Sequence, residues 1–391
     1  MGRGSAGGDA LRPVASAVFW GSASLLAYVY LGYPALVRAW SGLRPKPILR
    51  APAEPEVTML VVAHNEADNV AERLENALVQ AYPADKLEIV LASDGSTDET
   101  VERARVYEPA GVTVMAFERR RGKPAVLNDL VPSARGEIVV LGDARQRFAP
   151  DAVRALVAPF ADARVGAVSG ELILREDGAD SAVGQGVGFY WRYEKFMRAH
   201  EGRIDSTVGV TGAVYAIRRH LFEAIPDDTI LDDVLIPLRI VRRGYRVVFE
   251  PAARAFDRPA ADAGQEFARK ARTLAGNFQL FSREPWLLSP RRNRVWVQTL
   301  SHKGLRLIAP LLHAGAFLAA LPLTRGRVYR LALAAQLAFY AAAAAGGAGR
   351  NARRRPALLS VPYAMCLLNG ATVAGFVRFL RGRQPATWAR S

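Results

Sequence analysis

An α/β domain with an open, largely parallel sheet, flanked by membrane-crossing helices, is predicted from three observations. First, two apolar runs, 57–63 and 87–92, each end in a short polar cluster, His64-Asn65-Glu66 and Ser93-Asp94-Gly95-Ser96-Thr97-Asp98. Between them, 67–80 carries Val70, Leu74, Ala77 and Leu78 at helical spacing, so the unit reads strand, helix, strand. A crossover of that length makes the two strands parallel neighbours. Second, further short apolar runs alternate with helical patterns as far as residue 282. Third, long apolar segments stand at both ends of this region. In an open parallel sheet the loops leaving the carboxyl ends of the strands share one crevice, the usual ligand site. Both polar clusters sit there.

The composition narrows the chemistry. With 391 residues, 50% of them hydrophobic, the chain buries a sizeable core and is not disordered. A formal net charge of +15 suits nucleic acid, an anionic membrane surface or a phosphate-bearing substrate. Cys366 is the single cysteine, which excludes an internal disulfide and a cysteine-rich metal site. The chemistry therefore falls to carboxylates and bases.

In chain order, residues 1–13 form a polar leader, and 14–37 contain no charged residue. Crossing a bilayer takes about 20 apolar residues, so 14–40 is expected to be a membrane anchor, with Trp20, Tyr28, Tyr30, Tyr33 and Trp40 near its ends. A cleaved signal peptide has a shorter apolar part and a small-residue cleavage site, and this segment runs instead into Tyr33-Pro34-Ala35-Leu36-Val37-Arg38. Residues 41–55, with Pro45, Pro47, Pro52 and Pro55, are a linker, and the soluble domain is expected over 56–284.

Within that domain, 99–107 reads as a helix capped by the Ser96-Thr97-Asp98 group, and 112–117 as a third strand. The run Arg119-Arg120-Arg121-Gly122-Lys123-Pro124 precedes a helix over 125–131, a place where a phosphate docks or where charge is merely solvated. A fourth strand, 137–141, leads into Gly142-Asp143-Ala144-Arg145-Gln146, followed by a helix over 150–160 and a strand over 165–174. The helix at 185–200 carries Trp191, Tyr193 and Phe196, as core or facing an acceptor. Residues 207–217 read as strand, turn, strand, with Gly209, Thr211 and Gly212 allowing a backbone to approach a ligand. Asp232 and Asp233 open an apolar helix, where Asp232 also suits an N-cap. A last strand over 245–250 and a helix over 265–282 with Arg269, Lys270 and Arg272 complete the domain.

An interfacial segment is expected over 285–306 and three transmembrane helices within 307–383, at 307–323, 328–346 and 357–380. A cytoplasmic soluble domain puts Arg38, Arg44, Lys46 and Arg50, then Arg291, Arg292, Arg294, Lys303 and Arg306, then the 350–355 cluster inside. The positive-inside rule favours that orientation, although Arg325, Arg327, Arg330, Arg381 and Arg383 fall outside, together with both termini. The basic residues thus track the membrane flanks, and nucleic acid loses its support as a partner.

The order of His64-Asn65-Glu66, Asp94 to Asp98, Gly122-Lys123, Asp143-Ala144, Gly209 to Arg218 and Asp232-Asp233 resembles the inverting family 2 glycosyltransferases. It is most similar to their membrane-bound branch of cellulose, hyaluronan and poly-N-acetylglucosamine synthases. The resemblance implies a GT-A (Rossmann-like) domain that binds a nucleotide-diphosphate sugar, a UDP-sugar first of all. It assigns His64, Asn65, Glu66, Asp94 and Gly95 to the nucleotide, with Lys123, Asp143 and Arg145 nearby. Asp143 begins the metal motif, for Mg2+ or Mn2+. Asp233 matches the catalytic base, preceded by Asp232, and Arg272 matches the arginine of the Gln-x-x-Arg-Trp motif. Thr211, Gly212 and Trp191 are the acceptor-side candidates.

Physical chemistry agrees with these roles. Inverting transfer needs a carboxylate at the acceptor hydroxyl, and the leaving diphosphate needs positive charge. Two departures stand out. Arg145 occupies the place of a second metal-binding aspartate, so either Asp143 and the diphosphate hold the metal or Arg145 supplies charge itself. Arg269 and Thr273 stand at the glutamine and tryptophan positions, which removes the flat face that polymerising synthases offer a sugar. A single transfer to a saccharide or lipid-linked acceptor fits as well as a polymer. The alternatives are a polyprenyl-phosphate sugar transferase and a transferase-like membrane protein without turnover, with a polysaccharide-export or regulatory partner left open. High arginine and alanine usage suggests a bacterial inner membrane.

Overall fold

The computed structural model describes residues 6–174, 182–258, 263–348, 356–382 and 384. Part of the expected leader (1–5), the basic 350–355 group and Arg383 lie outside them. The sheet begins with β1 (Val57–Ala63), β2 (Leu87–Asp94), β3 (Val112–Phe117) and β4 (Ile138–Asp143). The β-branched and leucine-rich sequences of β1, β2 and β4 are mostly buried on both faces, as parallel strands covered by helices require, whereas β3, at the sheet edge, is largely open. Then follow β5 (Arg147–Phe148), β6 (Val165–Leu174), β7 (Tyr215–Arg218) and β8 (Arg246–Asp257).

Among the described residues these form one sheet in the order β3-β2-β1-β4-β7-β6-β8-β5. β1 lies parallel to both β2 and β4, pairing Val57 with Leu87 on one side and with Ile138 on the other. The strand order therefore reverses at β1, and the loops after β1, β2 and β4 open into the same crevice. β7 runs antiparallel to β4 and β6, and β6 runs parallel to β8.

The helices of the domain are α3 (Val70–Leu78), α4 (Thr100–Arg105), α5 (Lys123–Ser133), α6 (Ala152–Val157), α7 (Ala182–Ile204), α8 (Asp232–Arg242) and α9 (Ala263–Arg283), numbered after two in the anchor, α1 (Ala6–Ala27) and α2 (Tyr33–Leu43). One face of the sheet packs Leu60, Leu127, Val139, Leu235 and Trp286. The other packs Met59, Leu74, Leu91, Val140 and Leu156.

Two expectations are corrected, and one strand was not foreseen. Residues 207–214 are not a strand: Gly209 has φ +99° and Val214 N–H closes a turn onto Thr211 O, so only Tyr215–Arg218 joins the ladder. β8 runs on to Asp257, because its register against β6 shifts after Ser169 and carries the strand past Pro251. β5, with two residues, is too short to leave a periodic signal.

Four helical spans among the described residues are long and apolar enough to cross a membrane: Arg12–Leu43, Trp296–Leu323, Arg327–Ala348 and Leu358–Leu380. The first is α1 and α2 joined by a π turn, Tyr28–Gly32. The second starts at 296, earlier than expected, as α10 (Trp296–Gln298), a π turn (Thr299–Gly304) and α11 (Leu305–Ala320). Two more helices follow, α12 (Arg327–Ala348) and α13 (Ala357–Leu380).

These helices are fastened to the domain. Tyr33 and Val37 of α2 pack on Met197 and Ile204 of α7. A Cβ on Gly375 of α13 would stand 2.8 Å from Ala271 O, so α13 lies against α9 backbone to backbone, with the Phe278 and Phe376 rings 5.0 Å apart. The helix that carries Arg272 is thus backed by a membrane-length helix.

Candidate active site

The loops after β1 and β2 are bound to each other before any ligand arrives. Asn65 adopts φ 54°, a left-handed conformation that asparagine tolerates, and donates its N–H to Ser96 Oγ at 3.0 Å while its side-chain oxygen accepts the Thr97 N–H at 2.8 Å. His64 Nδ1 lies 2.8 Å from Asp94 O. Glu66 donates its N–H to Thr100 Oγ1 and accepts the Asn69 amide at 2.6 Å. Burial raises the Glu66 pKa, against the pull of Asn69 and Arg145.

Asp94 has a structural duty. Its two oxygens accept the N–H groups of Arg121 at 2.7 Å and Gly122 at 2.8 Å, so the β2 carboxylate fastens the basic loop. Gly95 (φ +61°) makes room for that loop, since a Cβ there would lie 2.3 Å from Arg120 N.

The acids gather where α5 and α8 begin. Lys123, the first residue of α5, lies 2.7 Å from Asp143 Oδ1 at the end of β4 and 3.8 Å from Asp232 Oδ2. Burial opposes its charge, but Asp143 and then Asp232 hold its pKa well above the usual lysine value. The N-cap of α8 is Leu231, so Asp232 and Asp233 both stand in the first helical turn, where the helix dipole favours them. Burial, and next the Asp232 charge, push the Asp233 carboxyl up to about 6, with Lys303, Lys123 and Arg198 pulling the other way. Arg272 of α9 is a further cation: burial lowers its pKa, and Asp232, Asp233 and Asp143 oppose that loss.

On the other side of Asp233, a Cβ on Gly212 would stand 3.1 Å from Asp233 Oδ2, so glycine keeps the carboxylate approachable. The neighbouring Thr211 holds its N–H on Ser169 Oγ at 3.0 Å and its hydroxyl on the Arg198 guanidinium. Trp191 of α7 has Lys270 Nζ 5.6 Å from its ring centroid, so one of its faces is already engaged by a cation. Thr273 donates its hydroxyl back to Arg269 O, presenting no flat surface.

The structure thus brings Lys123, Asp143, Asp232, Asp233 and Arg272 together and sets Thr211 and Gly212 beside them. Sequence reasoning missed Tyr215, whose buried hydroxyl has no hydrogen-bond partner among the described residues and lies within electrostatic reach of Asp232, Asp233 and Asp143. A lone tyrosine in the short strand Tyr215–Arg218 was its one signal. It also missed Arg198, which carried none.

A divalent cation needs oxygen ligands. Among the described residues no group of three His, Cys, Asp or Glu side chains is arranged to hold a metal ion by itself, and Arg145 is 3.6 Å from Asp257 Oδ2. Asp143, about a quarter exposed, still offers a carboxylate oxygen that Lys123 does not take. That donor set fits a cation that arrives with a diphosphate and keeps several waters.

A mixed sheet with acids and cations at its switch point, beside four helices long and apolar enough to cross a membrane, has the architecture of a GT-A glycosyltransferase. Residues 55–283 match the family described as Glycosyltransferase like family 2, and the chain belongs to that family. The poly-beta-1,6-N-acetyl-D-glucosamine synthase of Staphylococcus aureus (strain MSSA476) is 25% identical over 284 residues, 70% of this chain and 65% of that protein. The probable glycosyltransferase YdaM of Bacillus subtilis (strain 168) is 26% identical over 217 residues, 51% of this chain and 50% of that protein. The chain therefore matches less than two thirds of the length of these relatives. Among solved structures, the mannosyltransferase PcManGT from Pyrobaculum calidifontis, in complex with GDP-Man and Mn2+, aligns with a TM-score of 0.74 and 25% identity. That alignment covers 95% of this chain and 99% of the other.

The role of Gly95 is testable without a substrate. Gly95→Ala should loosen the loop that Asp94 holds and speed amide exchange at Arg121 and Gly122 by at least about tenfold, about 1.4 kcal/mol of lost local stability. Hydrogen-exchange mass spectrometry reads this directly, and unchanged exchange would show that the loop is held elsewhere.

Proposed function

We propose that this chain is a membrane-bound inverting glycosyltransferase that moves a hexose or N-acetylhexosamine from a nucleotide-diphosphate sugar to an acceptor hydroxyl. The observation that carries the reading is Asp233: a buried carboxylate, pushed up to about 6, set behind Gly212 and beside the Lys123-bridged acids Asp143 and Asp232.

In the reaction the acceptor oxygen attacks the anomeric carbon, Asp233 takes the hydroxyl proton, and the bond from the anomeric carbon to the diphosphate oxygen breaks. The diphosphate leaves with its electron pair. Lys123 and Arg272 offset the charge that develops on it. The nucleotide lies over the His64-Asn65-Glu66 and Asp94-Gly95 loops, and Arg145 flanks the phosphates. Asp143 is the residue to hold Mg2+ or Mn2+, which when bound supplies further positive charge to the diphosphate. The PcManGT complex with GDP-Man and Mn2+ supports both the donor class and the cation.

The acceptor is a saccharide or a lipid-linked sugar. The membrane-length helices and the basic residues at their flanks support an inner-membrane protein with this domain in the cytoplasm. Thr273 in place of an aromatic favours a single or short transfer over long polymerisation.

Transfer from a panel of labelled UDP- and GDP-sugars by membranes carrying the protein tests the reading. Asp233→Asn should lower the rate about 10²- to 10⁴-fold with nucleotide binding retained; an active Asn variant would remove Asp233 as base. The base acts deprotonated and its pKa is raised, so the wild-type rate should climb about tenfold between about pH 5 and about pH 7. A profile flat across that range counts against it. EDTA should weaken nucleoside-diphosphate binding at least about tenfold, restored by Mn2+ or Mg2+. Binding indifferent to chelator would take the metal away from Asp143.

A further inference from the structure

A second group of charges lies where the domain meets the membrane-length helices. His302, in the π turn before α11, contacts Glu194 Oε2 at 3.0 Å and Glu201 Oε1 at 2.9 Å. Arg306 of α11 donates to Glu194 Oε1 at 2.5 Å, and Tyr33 of the anchor donates to Glu201 Oε1 at 2.7 Å. Both oxygens of Glu194 are therefore engaged, which holds that carboxyl well below its usual range despite burial.

Lys303, between His302 and Arg306, is left out of this network. It is half-buried and within electrostatic reach of Glu194 and Asp233. Among the described residues its ammonium has neither a hydrogen bond nor an ion pair. Of the cations acting on Asp233 it has the largest effect. Arg198 acts on the same carboxylate, and among the described residues its one hydrogen bond is to a neutral partner, the Thr211 hydroxyl. Arg198 thus stands on the Gly212 and Thr211 side of the base. Lys303 follows His302, which binds Glu194 and Glu201, the residues one turn either side of Arg198 on α7. Two cations without an ion-pair partner among the described residues therefore lie near Asp233. A half-buried ammonium and a guanidinium that make no ion pair keep unused donors for an incoming anion.

We propose that Lys303 and Arg198 form an anion-binding subsite beside Asp233, which seats an acceptor carrying a phosphate or carboxylate next to its attacking hydroxyl. A sugar phosphate on a lipid carrier and a uronic acid are the two sources of such a group. The inference rests on Asp233 as the base, since that fixes which side receives the acceptor. Asp233 keeps its role, because a phosphate oxygen that attacked directly would need no base. Lys303 and Arg198 act by positioning the acceptor.

Binding, rather than turnover, tests this. The full chain in nanodiscs, its donor site filled with whichever of UDP or GDP binds, is titrated with glucose, glucose 1-phosphate and glucuronate by saturation-transfer NMR. At least one anionic sugar should bind about tenfold tighter than glucose or better. Lys303→Ala and Arg198→Gln should each remove that preference and leave nucleotide affinity unchanged, whereas Lys303→Arg should keep it. A preference for glucose 1-phosphate assigns the site to a phosphate, and one for glucuronate to a carboxylate. Glucose binding as tightly as both, neither anion binding, or a preference that survives Lys303→Ala and Arg198→Gln would overturn the subsite. Nucleotide affinity reports folding of each variant, and Lys303→Gln replaces the alanine variant if that one fails to fold. Active Asp233→Asn would sink the base assignment yet leave these affinities unaltered, so the two failures are separable.

Discussion

The contact between Lys123 and the acids around it is what the rest of the site depends on. Asp143, Asp232 and Asp233 come from the end of a strand and the start of a helix, and crowding them out of water without a cation would cost several kcal/mol per charge. One ammonium, 2.7 Å from Asp143 and 3.8 Å from Asp232, makes the crowding tolerable. It reaches them because Gly122, at φ +94°, turns the chain into α5 there, and Asp94 pins that turn through two backbone N–H groups. The electrostatics of the crevice is thus set by a loop that the neighbouring strand holds in place.

Asp233 gains its character from what this arrangement leaves over. Lys123 reaches Asp143 and Asp232 first, so Asp233 stays buried beside a like charge, and its carboxyl rises toward neutrality. A group with that pKa both accepts and releases a proton near physiological pH, as a base in glycosyl transfer must. The membrane-length helices supply the other boundary. α13 packs its glycine face on α9, and Lys303 enters from the turn before α11.

The fold was largely legible in the sequence because the central strands β1, β2 and β4 are mostly buried and their apolar runs end in polar clusters. β1 to β4 and β6 could be read with little error. β5 could not, at two residues, and residues 207–214 misled because β-branched residues around Gly209 imitate a strand while the backbone there turns to approach Asp233. Of the site, the acids at strand ends and helix starts could be read, since their place in the sheet follows from topology. Arg198 and Tyr215 could not. Their importance comes from which charges surround them across elements far apart in sequence, and no local pattern carries that information.

The central claim is a single displacement at the anomeric carbon assisted by Asp233, and the stereochemistry of the product tests it most directly. Proton NMR of the product formed from an α-linked nucleotide sugar, taken before anomers equilibrate, should show a β linkage. An α-linked product would mean two displacements or front-side attack, and would contradict the account.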